Sequence, residues 1–353
     1  MASKSIDTRF DRLTHGINTA HWFAQAPLTA ENFRTRITNN DLQLIHDLGF
    51  RHVRLPLDPD VLFDLEHPAT LSQNLEYLDA AIDLILTYNL AVIIDLHPTS
   101  DFKQQLYTNP DFAEAVGEFW FTLAEHLSRF SPEYVFLEVM NEPATEDPQT
   151  WYAIQAKLLA EMRRGAPEHT LIASANMRVG ETWSDIEGLK ALAPIADTNI
   201  VYNFHFYKPM SFTHQGAEWG EQAWQHLHNV PYPSNEAIVA SVLPTIADET
   251  ARQWLQHYGE EQWNAEKIAA WIAQAGTWGR SHQVRVTCNE FGVYRKVADP
   301  ESRSAWIRDV RTSLEANQIG WAMWEYDAGF GLVQQTDAVR TPRPEIVNAL
   351  FTS

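Results

Sequence analysis

The chain has 353 residues, 45% hydrophobic and 20% charged, an ordinary soluble composition that is long enough to bury an extensive core. Its 26 Lys and Arg face 46 Asp and Glu, for a net charge of −20 with no basic stripe, which argues against a polyanionic partner, so no nucleic acid is expected. The longest apolar stretches, such as 90–96, are strand-sized and broken by Asp95, far short of the roughly 20 residues that span a bilayer, so no membrane partner is expected.

One cysteine, Cys288, rules out an intramolecular disulfide. The opening Met-Ala-Ser-Lys-Ser-Ile-Asp has no apolar segment of the signal-peptide kind, which leaves two locations open. The chain is cytoplasmic, or it is secreted or periplasmic with a leader already removed. Thirteen tryptophans add a hint of ligands with apolar faces and polar rims, as sugar rings have.

In chain order, short β-branched runs alternate with helical stripes. Strands are expected at 13–18, 52–56, 91–97, 134–141, 170–175, 200–207, 285–290 and 320–325. Most are too apolar for a one-sided sheet and suit strands buried on both faces, as in a parallel sheet. Between them, Leu75, Leu78, Ile82 and Ile85 form one helical stripe, and Phe112, Val116, Phe119, Leu123 and Leu127 a second. Trp151, Ile154, Leu158 and Met162 form a third, followed by Ile268, Trp271, Ile272 and Ala275, then Trp306, Val310 and Leu314. The tryptophans in these stripes read as core.

Eight strand–helix units in this length predict an α/β fold, a (β/α)8 TIM barrel forming a single domain over 1–353. A dinucleotide-binding sheet lacks its glycine fingerprint, because Gly16 stands alone after the first strand. One long aromatic-rich segment, about 208–244, should lie on the catalytic face, where long loops are usually functional.

Catalytic groups in a barrel come from the C-terminal ends of its strands. Those ends carry Asn18, Arg54, His97, Asn141 with Glu142, His205 with Tyr207, Glu290, and Trp324 with Glu325. Glu142 ends strand four and Glu290 ends strand seven. Two carboxylates across a barrel mouth suit cleavage of a glycosidic bond: one protonates the leaving oxygen while the other attacks the anomeric carbon. Their pKa values must then differ, and Arg54 beside one of them would keep it ionised.

Several residues receive a structural reading instead. Glu138 shares strand parity with Glu142 and is expected below it as a buried, paired carboxylate. Glu325 is expected to point away from the mouth, Cys288 to be a small core residue, and His226 and His228 to be surface histidines. No metal and no cofactor are expected.

With these motifs in place, the sequence resembles glycoside hydrolase family 5, the cellulase-containing family of retaining (β/α)8 enzymes. The likeness runs from His-Gly-Ile-Asn (15–18) to Trp-Glu-Tyr-Asp (324–327) and the Gly-Phe-Gly that follows. Glu-Val-Met-Asn-Glu-Pro (138–143) resembles the family's acid/base strand and Asn-Glu-Phe-Gly (289–292) its nucleophile strand. The resemblance implies Glu142 as general acid/base and Glu290 as nucleophile. It implies Arg54 beside the nucleophile, and His97 and Asn141 on the sugar, with Asn141 bonding the 2-hydroxyl. It also implies His205 orienting the acid/base, Tyr207 orienting the nucleophile, and Trp324 as platform under the reacting sugar. Asn18 joins this substrate-binding set, and Trp219, in a stretch similar to bacterial cellulases of the family, would add a stacking surface.

The implied activity is endo-β-1,4-glucan hydrolysis through a covalent glycosyl-enzyme, by a monomer acting on β-linked polysaccharide or oligosaccharide. β-Mannan, β-1,3-glucan and exo-acting glucosidase alternatives stay open, because the family shares one catalytic set among them. A carbohydrate-binding pseudoenzyme is a remoter alternative.

Overall fold

The computed structural model describes residues 6–337 and 339–352. The first five residues, on which much of the reading of the N-terminus rests, lie outside the described residues. All eight expected strands form: β1 (His15–Asn18), β2 (His52–Leu57), β3 (Ala91–Leu96), β4 (Val135–Glu138), β5 (Leu171–Ser174), β6 (Ile200–Phe206), β7 (Arg285–Phe291) and β8 (Gly320–Met323). They close into a parallel barrel in chain order, with β8 returning to β1. Runs such as Val92-Ile93-Ile94 are buried throughout because barrel strands are covered on both faces.

The strands alternate with α1 (Asn39–Asp47), α2 (Leu75–Thr87), α3 (Pro110–Leu127), α4 (Pro148–Gly165), α5 (Asp185–Ala191), α6 (Ala265–His282), α7 (Pro300–Ala316) and α8 (Pro344–Phe351). Three of the longest start alike. Asn109, Asp147 and Asp299 cap α3, α4 and α7 with their side chains, and a proline follows at the first helical position. The cap satisfies a backbone N–H that the first turn leaves unpaired, and proline has none to satisfy. The stripe of α3 is buried at all five expected positions, from Phe112 to Leu127.

Two boundaries differ from expectation in ways that bear on function. β4 stops at Glu138 and β8 at Met323, so Asn141, Glu142, Trp324 and Glu325 stand just past the regular strands, with the Asn141 and Trp324 N–H groups still bonded to Leu96 and Phe291 on the neighbouring strands. Glu142 has a left-handed backbone (φ 46°), which no strand residue adopts. The segment 208–244 is partly ordered into helices at Met210–Thr213, Gln222–His226 and Glu236–Val242. Its Phe212, Trp224 and Tyr232 are buried. Those aromatics serve as the segment's own core.

By internal contacts the chain divides into two compact units. The first runs through His205 and adds Thr277–Asn289 and Gly320–Ala322; the second comprises Phe206–Gly276, Glu290–Ile319 and the chain from Met323 onward. The first holds an apolar cluster in which Phe10 and Leu13 pack with Ala91, Ile93, Phe136, Ile172 and Val201. Further along the same strands the interior turns polar. Asp95 on β3 is in register with Glu138 on β4, and both bind Arg54 from β2.

The Arg54 guanidinium is fully buried and donates to Glu138 through Nε at 2.9 Å and Nη2 at 2.8 Å. Removing one partner of a buried, doubly hydrogen-bonded pair leaves an uncompensated charge, which costs about 3–5 kcal/mol. Glu138→Ala should therefore lower the free energy of unfolding by about that amount. Chemical denaturation checks this, and a change under about 1 kcal/mol would mean the pair is not a framework element.

A glycine on α5 makes a second prediction. A Cβ on Gly188 would lie 1.8 Å from the carbonyl oxygen of Asn176. Gly188→Ala must displace that backbone, at a cost of about 1–3 kcal/mol. The expected lowered thermal midpoint is read by calorimetry, and an unchanged midpoint would contradict the close approach.

Candidate active site

In the first unit, the polar interior of the barrel is one connected network. Besides Arg54, Glu138 accepts from Asn203 Nδ2 at 3.1 Å and Asn289 Nδ2 at 2.7 Å. With four donors on two oxygens it is saturated. It is the buried, paired carboxylate that strand parity predicts, and it has little capacity left for chemistry. Arg54 also donates to Asn18 Oδ1 and Asn141 Oδ1, both at 3.0 Å, and Asn18 donates on to the carbonyl of Asn289 at 2.8 Å.

The second carboxylate on Arg54 is Asp95, at 3.0 Å from Nη2. Burial pushes Asp95 up to about 6, against the pull of Arg54 and, more weakly, of His205 and Lys103. His97, two residues on and on the same strand face, meets Asp95 through Nδ1 at 2.8 Å. A proton assigned to Nδ1 leaves Nε2 as an acceptor, and the amides of Asn141 (3.3 Å) and Gln25 (3.2 Å) lie against it. Asn141 is thereby held at both ends of its amide.

Glu142 is in a different state from Glu138. Its side chain is 26% exposed, and Oε1 meets His205 Nδ1 at 3.0 Å. Burial raises the Glu142 carboxyl, but the hydrogen bond and charge of His205 outweigh it together with the charges of Lys103 and His97. The group is held down to about 2. His205 is itself positioned by its backbone N–H, which donates to Asp185 Oδ2 at 2.9 Å. Asn203 Nδ2 lies 3.4 Å from His205 Nε2. An acceptor at Nε2 again assigns the ring proton to Nδ1, facing Glu142.

In the second unit, Glu290 is 4% exposed and accepts the Tyr207 hydroxyl at 2.9 Å. Tyr207 is held by its carbonyl, which takes Thr213 Oγ1 at 2.6 Å, and by an edge contact with His214. Trp324 is nearly buried, and its N–H donates to Phe291 at 2.9 Å. The adjacent Gly292 is required because a Cβ there would lie 2.2 Å from the Trp324 carbonyl. The Trp324–Glu325 peptide is cis. Glu325 accepts the backbone N–H of Phe330 at 3.2 Å, consistent with a carboxylate that serves the loop rather than the mouth.

Trp219 is 48% exposed and stands edge-on to Tyr294, with ring centroids 4.8 Å apart. An indole left open to solvent by such packing offers a flat stacking face. Cys288 is fully buried in β7 as expected; of the two histidines read as surface residues, His226 is exposed and His228 is half-buried.

Each unit thus brings together part of the expected set. The first joins Asn18, Arg54, His97, Asn141, Glu142 and His205; the second joins Tyr207 to Glu290 and carries Trp324 and Trp219. Sequence reasoning did not single out Asp95, Asn203, Asp185, Lys103 or Tyr107. Strand parity would have found two of them, since Asp95 precedes His97 by two residues and Asn203 precedes His205 by two. Lys103 and Tyr107 lie on a loop helix and left no comparable signal.

Residues 13–329 match the family described as Cellulase (glycosyl hydrolase family 5). Endoglucanase C of Acetivibrio thermocellus is 29% identical over 319 residues, covering 88% of this chain and 90% of the relative. Endoglucanase 3 of Fibrobacter succinogenes is 26% identical over 91% of this chain and half of its own length. Among solved structures, a hyperthermophilic endo-β-1,4-glucanase in complex with substrate superposes with a TM-score of 0.78 at 26% identity, covering 98% of this chain and 99% of that one. An endoglucanase at 24% identity reaches a TM-score of 0.80 and shares the fold over 99% of this chain and all of its own. On the match to residues 13–329, this chain belongs to the cellulase family, glycosyl hydrolase family 5, and is a glycosyl hydrolase of a retaining family.

Proposed function

We propose that this chain is a retaining endo-β-1,4-glucanase whose single catalytic domain uses Glu142 as general acid/base and Glu290 as nucleophile. The observation that carries the reading is the contrast among three carboxylates. Glu138 is saturated by four donors, whereas Glu142 is partly exposed against the His205 imidazole and Glu290 accepts the Tyr207 hydroxyl. The substrate class is supported by the endoglucanases among the relatives.

In the first step, Glu290 attacks the anomeric carbon while Glu142 gives a proton to the departing oxygen, so the glycosidic C–O bond breaks as the ester C–O bond forms. Glu142 then takes a proton from water, which attacks the same carbon and releases Glu290. The His205–Glu142 hydrogen bond suits both roles. The Nδ1–H of His205 stabilises the carboxylate left once Glu142 has given up its proton and orients it toward the water that restores that proton. Tyr207 fixes the attacking oxygen of Glu290, and Asn141, held by Arg54 and His97, presents its amide to the sugar 2-hydroxyl. Trp324 and Trp219 supply faces on which glucose rings stack.

Reducing-sugar release from soluble cellulose, β-mannan and laminarin should be greatest on the β-1,4-glucan. Glu290→Gln should lower turnover by at least about 10³-fold. Glu142→Gln should lose about 10²- to 10⁴-fold on glucan but much less on an aryl cellobioside whose leaving group needs no proton. No release from any β-glycan by the unmodified protein would sink the reading. Full activity in Glu290→Gln would sink the nucleophile.

A further inference from the structure

We propose that Lys103 and Tyr107 are positioning residues for the proton-transfer group, with Lys103 also setting through its charge the pH at which that group loses its proton. The inference rests on Glu142 as acid/base and adds two residues that no family motif supplied.

The geometry is local and specific. Residues Ser100–Thr108 form a short helix that starts three residues after His97, with Thr99 as its cap. Phe102 and Leu106 are buried and anchor one face, with Phe102 edge-on to Phe63 and Phe112. Lys103 and Tyr107 are four apart and so share another face. Both reach the same three-residue stretch. Lys103 Nζ donates to the carbonyl of Glu142 at 2.8 Å, and the Tyr107 hydroxyl accepts the N–H of Ala144 at 3.1 Å. Between those bonds lies Pro143, whose carbonyl takes Met177 N–H at 2.7 Å.

This clamp holds an unfavourable conformation. A left-handed backbone at a non-glycine residue costs roughly 1–2 kcal/mol and persists only where its surroundings impose it. Bonds to the Glu142 carbonyl and the Ala144 amide bracket the residue that carries φ 46°. Tyr107 contributes direction alone, whereas Lys103 contributes direction and a positive charge.

The charge acts within a defined set. Glu142 faces His205 from the end of β6, His97 from the end of β3 and Lys103 from the loop helix, all of which favour its ionised form. Asp95 on β3 and Asp185 at the start of α5 oppose them, each coupled to Glu142 and each raised to about 6 by burial. Removing Lys103 takes away a permanent positive charge and leaves the two imidazoles and the neighbouring carboxylates, Glu290 among them, in place. The sign follows. Without the cation, the Glu142–His205 pair holds its proton to higher pH, so the alkaline limb of kcat/KM moves up.

The test compares pH profiles of kcat/KM on soluble β-1,4-glucan for the unmodified chain and for Lys103→Gln, Lys103→Met, Lys103→Arg and Tyr107→Phe, each checked for folding by thermal melting. The alkaline limb should rise by about half a pH unit or more in Lys103→Gln and Lys103→Met and return in Lys103→Arg. Tyr107→Phe should lower kcat several-fold with the limb unmoved. A loss of equal size at every pH in the Gln and Met variants, or a limb that moves down, overturns the proposal. Loss of folding in both would assign Lys103 to the framework and overturn it too. Failure of the underlying reading is separate, because it would show as an active Glu142→Gln on glucan.

Discussion

Arg54 is the fixed point of the first unit's site. Its guanidinium is withdrawn completely from water, and a charge in that position is tolerable only if its donors meet acceptors of opposite charge. Glu138, Asp95, Asn18 and Asn141 fill that need from the ends of three strands, β1, β3 and β4, or the chain just beyond. Neighbouring strands are thereby tied at the level where the apolar barrel interior gives way to polar groups. Asn141, which immediately precedes Glu142, is one of the tied residues. The orientation of the proposed acid therefore depends on a cation that need not take part in proton transfer.

The same network separates carboxylates by task. Glu138 spends both oxygens on four donors and is a strut. Asp95 balances Arg54 and steers His97. Glu142, a short distance along the chain, escapes the network because the backbone turns left-handed just after Asn141, whose N–H still bonds Leu96 on β3. That turn frees a carboxylate to meet His205 and remain partly exposed. Asp95, raised to about 6 by burial, and Glu142, held down to about 2 chiefly by His205, thus differ in protonation tendency through differences in burial and partners.

Much of this was legible in the sequence. The eight strands could be read because barrel strands are apolar on both faces, and the helical stripes because apolar residues recur at helical spacing. Asn141-Glu142-Pro143 and Asn289-Glu290-Phe291 stood out by occupying strand ends. Less legible was where the strands stop. Sequence pattern carried β4 on to Asn141, whereas the regular strand ends at Glu138, because Val139 and Met140 are as apolar as the strand before them and Val139 and Asn141 still bond Ile172 and Leu96 on the neighbouring strands. The segment 208–244 read as an aromatic loop, whereas Phe212, Trp224 and Tyr232 are buried as its core and Trp219 alone of the four aromatics stays open. Lys103 and Tyr107 left no signal because their function is to bond backbone atoms, and a backbone partner leaves no residue type to recognise. Asp95 and Asn203 could have been found by counting two residues back from the histidines they support.

The central claim is that Glu290 forms the covalent bond. The most direct measurement is mass spectrometry of the chain quenched during reaction with a 2-deoxy-2-fluoro-β-cellobioside carrying a good leaving group, which slows release of the glycosyl-enzyme. The account predicts one added glycosyl group, recovered after proteolysis on the peptide containing Glu290. An unmodified chain under conditions of turnover, or a glycosyl group on Glu142, would contradict it.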